Sequence, residues 1–223
     1  MRNTVAFISQ IIFAGAVFFA CFICSYAQGE VTDRLLVLVN REVITESDVL
    51  WALALDPELP GLALSVENRR AMLERLVDQK LLLQEAEKLP RNEPTEEEIS
   101  DHINKELIAK FGSNEKFVER VKKVGLEQSM LREVVRQRLE ILKYVDFRFR
   151  SFVFVKPEDI ENYYRNSVLP EAARKGLGAP ELNEELRVKI EAQLVNDRVN
   201  TELDRFFDEA RAQAQITRLA QIQ

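Results

Sequence analysis

Glu98, His102 and Glu106 recur at every fourth position. On a helix they share one face, where two carboxylates and an imidazole can approach a metal ion together. The set is short of the nitrogen and sulfur donors that a tetrahedral zinc site favours, and the same pattern reads as a charged helix surface. His102 is the sole histidine and no cysteine follows Cys24, so nucleophilic triads and thiolate metal sites lack their parts. Glu96, Glu97 and Glu98 crowd carboxylates, but they follow Thr95 at a helix start, where negative side chains complement the exposed amides. Gly176 and Gly178 in "RKGLGAP" follow no strand and open no helix in the manner of a phosphate loop. The expectation is a protein that is not an enzyme and uses no metal or cofactor.

Aromatic side chains offer binding instead of catalysis. Phe147, Phe149, Phe152 and Phe154 crowd a stretch that also holds Arg148 and Arg150, Tyr163 and Tyr164 follow, and Trp51 stands upstream. Most large aromatics pack cores. Those that do not are candidates to line a cleft for apolar peptide segments, so all seven are candidate peptide-binding residues.

The elements that must position them are mainly helical. Leu35 to Val39 is a short apolar run of strand type, and Val43-Ile44 can pair back on it across Asn40, which tolerates the left-handed backbone of a tight turn. Thr45, Ser65, Thr95, Ser113 and Asn183 are N-cap residues ahead of apolar stripes with a 3.6-residue period. Leu142 falls in the stripe of a helix expected from about Glu127 to Arg150, and Val188 in that of a last long helix. Pro157 suits the first position of a helix ending at Tyr163-Tyr164, and residues 167–182, with two prolines and two glycines, read as a loop. Gln215 to Leu219 alternates like a half-buried strand. Since an isolated hairpin is marginal in water, this strand is expected to add to the N-terminal hairpin, giving a mainly α domain with a small antiparallel β element. Residues 28–166 form a first helical region, and 183–223 complete the same domain.

The first residues differ in kind. Arg2 is the only charge before Glu30, and Ile11 to Cys24 is an unbroken apolar or small stretch. Ser25-Tyr26-Ala27 offers small residues where a signal peptidase reads, so cleavage is expected between Ala27 and Gln28. The alternatives are a retained membrane anchor and, on weaker grounds, a lipoprotein through Cys21 or Cys24. Removing residues 1–27 takes away Arg2 and no acid, moving the formal charge from −6 to −7. Such a chain is a poor match for nucleic acid, and with both cysteines gone its stability must come from packing, not disulfides.

At "VLVNREVITESDV" the chain resembles the SurA-like family of periplasmic chaperones. The resemblance continues through "RLVDQKLLLQEAEKL", "PTEEEISDHI" and "VKPEDIENYYR", and resumes from "LNEELRVKIEAQL" to "ITRL", covering nearly all of residues 32–219. Family members commonly carry parvulin-type prolyl isomerase domains between the Tyr-Tyr helix and the final helix, where this chain has only a short segment. The resemblance therefore implies a periplasmic holdase without isomerase activity, acting as monomer or homodimer on unfolded client proteins, outer-membrane proteins in particular. An envelope scaffold that binds one specific partner is the alternative, and residual prolyl isomerisation is a third reading.

Overall fold

In the computed structural model, residues 33–59, 65–89 and 93–222 are described; the expected signal segment and both cysteines lie outside them. β1 (Leu35–Val39) and β2 (Glu42–Thr45) form the antiparallel hairpin, with Val37 opposite Ile44 and Val39 opposite Glu42. Its turn rests on Asn40, which adopts φ 57°. β3 (Ile216–Arg218) pairs antiparallel with the other edge of β1, Val39 facing Ile216 and Val37 facing Arg218, so the order is β2-β1-β3. Asn40 joins all parts of this arrangement. Its N–H donates to the Gln215 carbonyl at 2.8 Å, its Oδ1 accepts from the Gln215 N–H at 2.9 Å, and its Nδ2 donates to Gln84 at 2.7 Å.

Helices account for the rest. α1 (Glu46–Ala54) starts on a capping box between Thr45 and Asp48, and α2 (Val66–Ala86) on Ser65. Each cap satisfies an amide that the first helical turn leaves without a partner. α3 (Glu96–Asp101), capped by Thr95 and Glu98, continues through a π-helical segment (His102–Leu107) into a final turn, α4 (Ile108–Lys110). α5 (Asn114–Lys123) follows Ser113 and leaves through Gly125, whose φ of 64° is the left-handed exit that glycine allows. α6 (Gln128–Arg148) gives way to a 3₁₀ turn (Arg150–Phe152), two residues before the expected helix end. α7 (Pro157–Tyr163) carries proline in its first turn, and α9 (Glu184–Gln213) opens on Asn183.

The segment between α7 and α9 departs from the expected loop. The chain stays helical beyond Tyr163-Tyr164, through a π-helical stretch (Tyr164–Val168) and α8 (Leu169–Arg174). Pro170 lies in the first turn of α8, where a missing N–H costs little, and both glycines fall after the helix. Gly176, at φ 69°, ends it. Only residues 175–182 are irregular.

The sheet, α1, α2 and the C-terminal tail share one core of Leu36, Val37, Val39, Ile44, Val49, Leu53, Met72, Leu73, Val77, Leu81 and Ile222. A second core joins α3, its π-helical continuation, α5 and the first half of α6 through Ile99, Ile103, Leu107, Phe117, Val121, Leu131 and Val135. α9 seals the remainder, meeting α2 and α6 through Leu82, Tyr144, Phe149 and Val199, and α7 through Ile160 and Ile190. Charge reinforces the C-terminal closure. Arg211 reaches Asp78 at 2.7 Å and Glu74 at 3.1 Å, and Arg218 reaches Glu74 at 2.8 Å.

Truncation before residue 214 removes β3 and the buried Ile222, and strips the Arg218 pair from Glu74. Burial of one such side chain contributes about 1.5–3 kcal/mol, and β1 loses its second partner as well. Thermal unfolding followed by circular dichroism should show a clearly lowered midpoint; an unchanged midpoint would contradict the closure of the sheet by β3.

Candidate peptide-binding cleft

α1, α2 and α6 do not meet flush. Between them lies a cleft of about 440 Å³, within the size range of ligand pockets. Its walls are apolar: Trp51 and Leu55 at α1, Met72, Leu76 and Leu83 on α2, and Val134, Ile141 and Leu142 on α6. The polar lining consists of Asp48, Asp56, Arg75, Gln79, Lys80, Gln137 and Arg138. Met72, Leu83 and Leu55 are buried, whereas Leu142 is 47% exposed. A large aliphatic side chain thus stands half open to solvent beside the recess and continues its apolar lining outward.

Two polar devices hold the walls. Trp51 donates its indole N–H to the Val124 carbonyl at 3.2 Å, which fixes the ring while leaving its apolar body in the cleft. Arg120 on α5 donates to the Ala54 carbonyl at 2.8 Å, the Asp56 carbonyl at 2.9 Å and the Leu53 carbonyl at 3.1 Å. The Leu53 carbonyl also accepts from the Asp56 N–H at 3.3 Å and the Asp56 carbonyl from the Leu59 N–H at 3.4 Å, so the guanidinium matters most to the Ala54 carbonyl in the last turn of α1. The Arg120 guanidinium also lies over the Phe111 ring at 5.2 Å. Burial pushes its pKa down, and the Asp56 carboxylate opposes that shift.

Of the seven aromatic candidates, Trp51 alone lines this cleft. Phe147, Phe152 and Phe154 project from the end of α6 and the segment after it, 60%, 76% and 73% exposed. Phe149 is a core residue, not a surface one. It is buried edge-on between Tyr144 and Phe206, with ring centroids at 6.1 and 5.9 Å, because the helix turns its position inward towards α9. Tyr163 and Tyr164 are half-buried against α9, and Tyr164 donates its hydroxyl to the Pro180 carbonyl at 2.6 Å, fastening the irregular segment. Sequence reasoning assigned Leu142 and Leu76 to apolar helix stripes and did not single out Met72 or Ile141. Their apolar periodicity was visible, but periodicity marks a stripe without saying which part of it another helix covers. Val188 was likewise expected to pack and is 56% exposed.

The Glu98, His102 and Glu106 set takes up separate tasks. Glu98 accepts from the Thr95 N–H at 2.7 Å and pairs with Lys143 at 2.9 Å. The Lys143 hydrogen bond, with that of Thr95, holds its carboxyl below the usual range. His102 is buried, with Nδ1 3.1 Å from a Glu106 carboxylate oxygen. Among the described residues no three His, Cys, Asp or Glu side chains gather as metal ligands do.

No family model matches the chain. Among curated proteins it is similar to the foldase protein PrsA of Clostridium botulinum. The protein from strain Hall is 25% identical over 131 residues, 57% of this chain and 38% of the relative. That from strain Langeland is 29% identical over 105 residues, 45% of this chain and 31% of the relative. The chain therefore matches well under half the length of these relatives.

Two outcomes follow from this geometry. Arg120→Ala removes the guanidinium donor of the Ala54 carbonyl, while the Leu53 and Asp56 carbonyls keep the Asp56 and Leu59 amides, and should lower stability in denaturant titration by about 1–3 kcal/mol, the cost of one buried acceptor left unpaired. Burial lowers the His102 pKa below its ordinary value of 6.5, Arg138 and Lys110 push it the same way, and Glu106 opposes them. A neutral buried imidazole contributes stability in full above the unfolded pKa, and that contribution is lost as pH falls through the folded pKa. The thermal midpoint should fall as pH drops below about 6.5, with a shallower fall in His102→Gln; equal slopes would remove His102 as the cause.

Proposed function

We propose that this chain is an exported chaperone of the holdase type, which keeps unfolded polypeptides from aggregating by holding their apolar segments in the cleft between α1, α2 and α6. The observation that carries the reading is the cleft itself: a recess with apolar walls and a half-exposed Leu142 at its edge. Similarity to proteins named foldases and the resemblance of the motifs to the SurA-like family point the same way. Weak, reversible burial of apolar side chains is sufficient for this task, since a binder of the unfolded state delays aggregation by mass action. A net negative charge, −7 once residues 1–27 are removed, keeps a loaded complex soluble.

The finer points belong to the same proposal. The first 27 residues act as a cleaved signal directing the chain to the periplasm, the clients are outer-membrane proteins in transit, and no prolyl isomerase activity accompanies binding. Residues 28–166 and 183–223 act as one domain, and the functional unit is a monomer or homodimer. The exposed Phe147, Phe152 and Phe154 extend the apolar surface offered to clients.

Aggregation of several unrelated unfolded proteins, followed by light scattering, should be suppressed at near-stoichiometric amounts of the chain. Leu142→Asp should weaken that protection while leaving the thermal midpoint nearly unchanged, because the side chain is half exposed. Saturable binding to one folded protein without general protection would favour an envelope scaffold instead, and turnover in a prolyl isomerisation assay would overturn the non-enzymatic assignment.

A further inference from the structure

The cleft is apolar inside and charged at its edge, and the charges do not cancel locally. Three cations and two carboxylates line it. Asp48 is committed to the Thr45 N–H at 2.8 Å, Lys80 to Glu42 at 2.9 Å, and Arg75 to Asp56 at 3.6 Å. Arg138 remains. Among the described residues it forms no ion pair; it is exposed, and it stands one helical turn from both Val134 and Leu142, which also line the cleft.

We infer that the cleft selects apolar client segments that carry an acidic side chain beside their apolar anchors, with Arg138 receiving the carboxylate. The inference rests on the reading of the cleft as the client site and adds the chemistry of the client. The guanidinium suits this role because its planar fork matches a carboxylate with two parallel hydrogen bonds. The negative charge of the chain as a whole does not oppose it. At physiological ionic strength fields are screened over roughly 8 Å, so a carboxylate seated at Arg138 responds to that cation more than to acids elsewhere on the surface. Lysine-bearing segments meet the opposite situation, since at the same place an ammonium faces Arg138, the cation of the recess that no carboxylate pairs among the described residues.

The test uses the purified full chain and one short Leu/Phe-rich synthetic peptide made with Gln, Glu or Lys at its central position. Trp51 is the sole tryptophan and lines the cleft, so its fluorescence reports occupancy of this site. The Glu peptide should bind roughly three- to tenfold more tightly than the Lys peptide at low salt, a gap of the size expected for exposed charge pairs taken with both signs. High salt should narrow the gap. Arg138→Glu, a change at an exposed position, should reverse the order, and Leu142→Asp should weaken the neutral Gln peptide. Equal affinity for the Glu and Lys peptides, or an order that survives Arg138→Glu, overturns the inference while leaving the cleft as client site. Failure of all three peptides to alter Trp51 fluorescence removes the cleft reading and the inference together.

Discussion

β1 can only be buried if both of its edges are occupied, and the rest of the architecture is arranged around that requirement. Val37 and Val39 are fully buried, so each backbone amide and carbonyl nearby must find a partner within the protein. The hairpin provides one edge through β2. The other is covered by three residues from the far end of the chain, and Asn40 makes the join specific by bonding to Gln215 twice and to Gln84 on α2. With the sheet closed, α2 has a surface on which to lay Met72, Leu73, Val77 and Leu81. The adjoining face of that helix, from Met72 through Leu76 to Leu83, is then left to line the cleft with α1 and α6.

Much of this was legible in the residues because local signals and tertiary needs agree. Thr45, Ser65, Thr95, Ser113 and Asn183 each cap the helix they announce, and the prediction that Gln215 to Leu219 would join the hairpin followed from the instability of a hairpin alone. The segment after Tyr164 was misread for an equally local reason. Prolines and glycines were counted together, yet proline at a helix start and glycine after a helix end are both compatible with α8 lying between them. The π-helical segments at His102–Leu107 and Tyr164–Val168 fall outside a reading by 3.6-residue periodicity, since a widened turn rotates the residues after it relative to that repeat.

The cleft was less legible than the fold. A stripe of apolar residues at helical spacing looks the same whether a neighbour covers all of it or stops short, and α6 shows both outcomes: Val135 is buried while Leu142 is half exposed. Aromatic content was a partial guide. It drew attention to Trp51, which lines the recess, and equally to Phe149, which stabilises the core against α9. The difference lies in what packs against each ring, a property of the assembled helices and not of the residue type.

The pairing of residue 37 with residue 218 has a consequence in time. Contacts so distant in sequence form slowly, since a long loop must close before any of its energy is recovered. Synthesis proceeds from the amino end, so the valines of β1 wait beside growing polypeptide until the last strand emerges. A chain proposed to hold unfolded polypeptides therefore passes through its own synthesis with the same kind of apolar strand uncovered.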